Sequence, residues 1–172
     1  KINCGQWTWY DNNGNVSSKG EYNIKGYKIG VWQWFYKNGD LKKQELYSGD
    51  GENKAYYENK QLYYLTKVAD GKKQGNYIEY YKNGNIKMTC QYKDDLLNGK
   101  AVFYFDNKNI EMQGTLVNGK KQGKWTYYYH DNGNKQSEGS FVDDKEQGKW
   151  TYYYDTKELW REGEYSNGKR EG

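Results

Sequence analysis

The chain has no proline, two cysteines and one histidine among its 172 residues, and Leu, Ile and Val are scarce. Without proline, and with 21 glycines spread along its length, it has neither a Pro/Gly-rich linker nor a collagen-like period. The residues AVILMFWYC make up only 34%, too few for a thick aliphatic core. No apolar run is long enough to cross a bilayer as a helix. The single His130 and the widely separated Cys4 and Cys90 offer no zinc-ligand spacing. No serine has an evident base, the carboxylates are scattered, and the glycine-rich loops lack the following helix of a phosphate cradle. These shortages predict a protein that is not an enzyme, with no catalytic residues, no cofactor and no metal site. The formal charge of +4 is a mild excess of 27 basic over 23 acidic residues, without the strong electrostatic footprint of nucleic-acid binding. Asp94-Asp95 and Asp143-Asp144 read as solvated turn charge rather than a calcium site.

What the chain has is aromatic side chains, 19% of it, including 21 Tyr and 7 Trp. Such rings suit a thin layer, because each buries a large area while its OH or NH stays wet. They recur with a period. A glycine ahead of an aromatic run falls at Gly5, Gly30, Gly51, Gly75, Gly99, Gly123 and Gly148, and a further step lands on Gly172. A period of about 24 residues marks a repeat array, so residues 1–172 are expected to form a single array of seven units starting near those glycines. The segments from Gly123 to Tyr129 and from Gly148 to Tyr154 are identical, GKWTYYY. Behind the aromatic runs stand Asn13-Gly14, Asn38-Gly39 and Asn83-Gly84, a strong hairpin signal expected as a type I′ turn with positive φ at both residues. Asn59-Lys60, Asn107-Lys108 and Thr156-Lys157 are weaker versions, and one extra residue before Asn132-Gly133 predicts a longer loop. Helical spacing is kept nowhere. The expected fold class is all-β: an elongated, twisted, single-layer antiparallel sheet of about seven tandem β-hairpins.

The hairpin register places Trp7 opposite Gly20, Trp125 opposite Gly139 and Trp150 opposite Gly163, a ring covering bare backbone within each hairpin. Where the Trp is lost the pair changes together, Tyr77 with Cys90 and Ala101 with Gly114. In the first unit Trp7, Trp9, Val16, Gly20 and Tyr22 share this core face. The opposite face is polar, with Thr8, Ser17, Lys19 and Glu21, yet each unit keeps one aromatic residue there: Tyr10, Phe35, Tyr56, Tyr80, Tyr104, Tyr128 and Tyr153. Two strands per unit space these rings roughly 10 Å apart. They are the candidate interaction surface, an aromatic ladder for a partner; the alternative is that each ring packs against its neighbours' stems and supports the sheet.

Cys4 and Cys90 would stand roughly 30 Å apart on such an array, beyond disulfide reach, and Cys90 reads as a small core residue. The chain opens at Lys1 without Met, compatible with removal of an upstream segment, although Asn3 before Cys4 fits a lipidation motif poorly.

The pattern Gly-x-Trp-x-x-Tyr-Tyr-x-Asn-Gly, followed by Gly-x-Tyr and Asn-Gly-Lys-x-x-Gly, is carried by Gly30 to Gly39, by Gly75 to Gly84, and by Gly148 to Tyr154 with Gly163 to Gly172. It resembles the bacterial MORN repeat variant over essentially the whole chain, the third and fifth units departing most. The resemblance implies a non-enzymatic module that binds a protein partner. An exported or cell-surface adhesion or scaffold protein is the first reading. An intracellular antitoxin or immunity protein that sequesters a toxin is the second. A membrane-surface binder is the third: Lys72-Lys73, Lys120-Lys121 and Lys169-Arg170 recur in the connecting turns, diluted by the acidic pairs in the same row. Choline-binding and glucan-binding repeats are similar in being short, Gly-led and rich in Trp and Tyr, which keeps a glycan or choline ligand open, but their units are shorter.

Overall fold

The computed structural model describes residues 4–172; Lys1, Ile2 and Asn3, on which the reading of a removed upstream segment falls, lie outside the described residues. Every regular element among the described residues is a β-strand, as runs rich in Tyr, Trp and Thr between glycine turns require. Contacts divide the chain into an N-terminal half ending at Gly84 and a C-terminal half beginning at Asn85. The first half holds β1 (Gly5–Tyr10), β2 (Val16–Tyr22), β3 (Lys28–Phe35), β4 (Leu41–Leu46), β5 (Gly51–Tyr56), β6 (Leu62–Ala69) and β7 (Lys72–Tyr80). Each pairs antiparallel with the next. The second half holds β8 (Ile86–Lys93), β9 (Leu96–Tyr104), β10 (Ile110–Val117), β11 (Lys120–Tyr128), β12 (Lys135–Val142), β13 (Lys145–Tyr153), β14 (Leu159–Ser166) and the short β15 (Lys169–Arg170), again each paired with its successor. Both halves are open antiparallel sheets of tandem hairpins, and the all-β expectation holds.

The turns differ from the expected type I′. In the first hairpin Gly14 N–H donates to the Asp11 carbonyl (3.0 Å) and Asp11 N–H to the Asn15 carbonyl (2.8 Å). Gly14 (φ 82°) takes the left-handed conformation, whereas Asn13 is not among the residues with positive φ. This is a three-residue loop closed by a type I turn with glycine at its end. Tyr36, Gly39 and Asp40 repeat it. The longer loop expected at Asn132-Gly133 is present, with Tyr129 N–H bonded to the Asn134 carbonyl at 2.8 Å. Turns with positive φ at both central residues sit instead in the connections between units, at Asp70-Gly71, Asn118-Gly119 and Asn167-Gly168, and also at Asp94-Asp95 and Asp143-Asp144. The expected cross-strand pairs survive because a β-bulge compensates the longer loop. The register shifts by one residue between Trp9 and Tyr10, so that Trp9 faces Ser18 and Trp7 faces Gly20 as expected. The same shift recurs at Trp34/Phe35, Ala55/Tyr56, Tyr127/Tyr128 and Tyr152/Tyr153.

The ring that covers Gly20, Gly114 or Gly139 belongs to the following unit, not to its own hairpin, while Gly163 is met by the Arg170 side chain. A Cβ built on Gly20 would lie 2.2 Å from Trp32, one on Gly114 2.3 Å from Trp125, and one on Gly139 2.2 Å from Trp150. Each indole N–H then donates to the carbonyl one residue past that glycine: Trp32 to Glu21 (3.1 Å), Trp125 to Thr115 (3.2 Å) and Trp150 to Ser140 (3.3 Å). The cause is local. The register glycines Gly30, Gly123 and Gly148 have φ near 59°, 67° and 70°, and the strand bulges there, tipping the Trp two residues on back across the preceding strand. These three tryptophans are buried, as are Cys90 and Ala101 at the equivalent places where the ring is missing. The exchange of size therefore runs between successive repeats, a larger Cys90 with a smaller Ala101. In the third repeat Asn53 takes the Trp position and accepts the Leu46 N–H at 2.6 Å.

Candidate functional site

The bulge after each Trp also decides what surrounds the aromatic row. Tyr10 faces Val16, Phe35 faces Leu41 and Tyr56 faces Leu62 in the N-terminal half. Tyr104 faces Ile110, Tyr128 faces Lys135 and Tyr153 faces Leu159 in the C-terminal half. Val16 therefore leaves the Trp face assigned to it and joins Tyr10, and the supposedly polar face carries aromatic–aliphatic pairs. Tyr10 is 63% exposed and Leu159 56%, while Phe35, Tyr56, Tyr80, Tyr104, Tyr128 and Tyr153 are half-buried.

Half-burial comes from the preceding repeat. Lys19 Nζ lies 5.5 Å from the Phe35 ring centre, and Gln113 Nε2 donates to the Tyr128 hydroxyl at 2.5 Å. The Tyr153 hydroxyl approaches the Glu138 carboxylate at 3.4 Å, with Lys135 Nζ 5.5 Å from the same ring. Lys124 (2.8 Å) and Lys135 (3.0 Å) both reach Glu138. Lys124 chiefly, then Lys135, holds that carboxyl below its ordinary range against the opposing pull of burial. Phe35, Tyr128 and Tyr153 thus each keep one part against a neighbour's polar stem and offer the rest to solvent.

The residue after the row position, which sequence reasoning did not single out, fixes the row in place in the second, third and sixth units. Tyr36 donates its hydroxyl to the Tyr56 carbonyl (2.7 Å), Tyr57 to the Tyr80 carbonyl (2.9 Å) and Tyr129 to the Tyr153 carbonyl (2.7 Å). Each clips one repeat to the backbone of a row residue in the next. Loop amides do the same: Asn59 bonds the Lys82 carbonyl, Asn107 and Asn109 the His130 carbonyl, and Asn132 and Asn134 the Asp155 carbonyl. The signal was the second Tyr of each Tyr-Tyr pair, recurring at the same step as the row.

Sequence reasoning also passed over lysines that enter the Trp face. Lys28 Nζ sits 4.2 Å from the Trp32 ring centre, 5.1 Å from Trp34 and 5.2 Å from Tyr47. Lys121 Nζ does the same over Trp125, Tyr127 and Phe141. These are cation–π cages filled from within the chain. Burial, followed by the Glu45 carboxylate, pushes the Tyr47 hydroxyl up to about 12.

Of the groups with catalytic potential, His130 lines an open cavity together with Tyr128 of the row. His130 lies on an exposed loop, its Nδ1 2.6 Å from Asp131 and its Nε2 3.7 Å from Asp106. Cys4 is exposed and Cys90 buried, both free thiols, and burial pushes the Cys90 thiol up. Among the described residues no three His, Cys, Asp or Glu side chains lie close enough to share a metal ion. No helix of the described residues is long and apolar enough to cross a membrane.

Hairpins clipped in series, each presenting an aromatic residue at the same place, define a β-hairpin repeat protein. The chain belongs to the MORN repeat variant family, which matches residues 3–23, 28–48, 49–67, 73–94, 121–143 and 146–167. The longest unmatched interval, residues 95–120, holds most of the fifth unit, where Ala101 replaces the Trp. Repeats of this family are commonly modules for protein or membrane interaction and generally non-enzymatic. No curated protein matches the chain. Among solved structures it is similar to a chain in the crystal structure of a GtfA/B complex bound to UDP and GlcNAc, at 14% identity with a TM-score of 0.23. The alignment covers 58% of this chain and 20% of that one, and at that score the likeness carries no argument about fold or activity.

Proposed function

We propose that this chain is a non-enzymatic module that binds a protein partner through its row residues, Tyr10, Phe35, Tyr56 and Tyr80 in the N-terminal half and Tyr104, Tyr128 and Tyr153 in the C-terminal half. One observation carries the reading: rings held at a fixed place in every repeat, mostly paired with an aliphatic side chain, half-open to solvent and rimmed by Lys, Glu and Gln. Aromatic anchors with a polar surround are the composition of binding hot spots. The inter-repeat clips support it, because a pre-organised row loses little entropy when a partner docks. The use we propose for that surface is adhesion or scaffolding.

The test is recovery of the partner from the native source by crosslinking to the row, with mass spectrometry to identify it. Tyr80→Ala combined with Tyr104→Ala is expected to weaken binding to the recovered partner at least tenfold, as loss of two hot-spot rings would. The unfolding midpoint should fall far less than in Trp150→Leu. Unchanged binding overturns the reading. A midpoint drop matching that of Trp150→Leu makes the rings structural. A toxin as the recovered partner makes the chain an immunity protein.

A further inference from the structure

The hairpins of the second, third and seventh units cover the ring that follows the row position with a side chain of their own. The covering residue is the one after the row's cross-strand partner. In the second unit Phe35 pairs with Leu41, and Lys42 Nζ lies 5.4 Å from the Tyr36 ring centre. In the third Tyr56 pairs with Leu62, and Tyr63 lies 5.0 Å from Tyr57. In the seventh Tyr153 pairs with Leu159, and Trp160 lies 6.0 Å from Tyr154. The sixth unit breaks this pattern. Tyr128 pairs with Lys135, so the covering place falls to Gln136, an exposed amide. Among the described residues no cation or second ring lies over Tyr129, whose hydroxyl is tied to the Tyr153 carbonyl at 2.7 Å. A cavity of about 520 Å³ opens here, lined by Tyr128, Tyr129, Gln136, His130 and Glu111 among others. Glu111 holds in the fifth unit the place that Lys42 holds in the second. A carboxylate cannot cap the Phe105 ring as Lys42 caps Tyr36, because the ring face is itself negative; the His130 ring meets Phe105 instead, at 4.8 Å and 73°. Glu111 is half-buried and has no hydrogen-bond or ion-pair partner among the described residues. Asp131 and Asp155 add negative charge to the lining. Its one basic residue, His130, is already held by Asp131 at 2.6 Å, with Asp106 3.7 Å away.

We propose that this open cavity binds the guanidinium of an arginine side chain from the protein partner. The planar cation stacks on the Tyr129 ring, as the Lys42 ammonium sits over Tyr36, and donates paired hydrogen bonds to the Glu111 carboxylate. An uncovered ring, an uncommitted carboxylate and further acidic charge on one open cavity are complementary to a cation. A guanidinium suits it better than an ammonium, because its flat face and its fork of donors engage ring and carboxylate at once. The proposal deepens the reading of the row as a protein-binding surface and rests on it, since Tyr128 lines the same cavity.

The experiment titrates the full chain with Nα-acetyl-arginine methylamide at constant pH. It follows by proton NMR the ring of His130, the chain's single histidine and part of the cavity lining. A saturable shift with millimolar affinity is expected, the scale of one cation–π contact with one charged hydrogen-bonded pair. The citrulline analogue, which keeps the shape and has no charge, gives no shift. The lysine analogue binds more weakly by about threefold or more. Gln136→Lys, which restores the arrangement of Lys42 over Tyr36, abolishes the response, and Glu111→Gln weakens it about tenfold; both preserve the rest of the spectrum. The proposal fails if no saturable shift occurs, if citrulline responds like arginine, or if either variant binds like the wild type. Lysine binding closer than that to arginine overturns the assignment to a guanidinium. Glu111→Gln should also weaken binding of the recovered partner severalfold, and unchanged partner binding shows that the cavity takes no partner arginine. The two readings fail separately. A partner indifferent to Tyr80→Ala with Tyr104→Ala sinks the row even where the arginine compound binds. A chain that ignores the compound but loses its partner in that double variant sinks the cavity alone.

Discussion

Lys60, Lys108 and Lys157 hold φ of 66°, 76° and 78° at the loop position that Gly14 and Gly39 fill elsewhere. A side chain with a Cβ pays about 1 kcal/mol or more for that conformation. Lys108→Gly is therefore expected to raise stability by about 1 kcal/mol, read as a higher urea midpoint with an unchanged slope; a lower midpoint would show that the lysine side chain does something at that loop. His130 makes a second residue-scale prediction. The hydrogen bond to Asp131 foremost raises its pKa above the ordinary 6.5 against the opposing pull of desolvation, with Asp106 adding to the rise. The protonated form is the one favoured by folding, so its contribution is complete below the unfolded-state value and lost as pH rises through the folded one. Proton NMR should find the His130 titration midpoint above 6.5, and Asp131→Asn should move it down. At this scale the sequence was readable where a residue type repeats with the period, as Tyr10 to Tyr153 do. It misplaced Val16 on the Trp face, because one bulged residue changes the face and nothing in the alternation announces it.

The hairpin is the unit of sequence, but its stability is shared with the next. Tyr129 reaches from one hairpin to the Tyr153 carbonyl of another at 2.7 Å, and Asn132 and Asn134 reach to Asp155. Tyr129→Phe removes one such clip and keeps the ring, so it should cost about 1 kcal/mol and speed amide exchange most around the loop from Tyr154 to Glu158. Uniform acceleration through the C-terminal half would argue against a local clip. Strand order and pairing were legible because glycine, aromatic run and turn recur in sequence. Turn type was not: Asn-Gly suits both a type I′ turn and the end of a three-residue loop, and the choice depends on the bulge at Ser17. The Trp–Gly register was legible too, while the owner of the covering ring was hidden, since a glycine on β12 has neighbours on both β11 and β13 and only the backbone at Gly148 tips Trp150 toward it.

At the scale of the molecule, repetition of one hairpin repeats one surface position along each half, and the chain's family is one whose repeats are commonly modules for protein or membrane interaction. Such a row requires successive repeats locked in register, and at three seams the lock is the Trp of one repeat seated on the glycine of the repeat before. A double-mutant cycle at Gly139 tests this most directly. The added methyl of Gly139→Ala would lie 2.2 Å from Trp150, an overlap expected to cost about 3 kcal/mol by urea unfolding. In a Trp150→Leu background that cost should shrink to a few tenths of a kcal/mol, whereas in a Trp125→Leu background it should persist in full. Relief by Trp125→Leu instead of Trp150→Leu would put the covering ring back inside the hairpin and contradict the account.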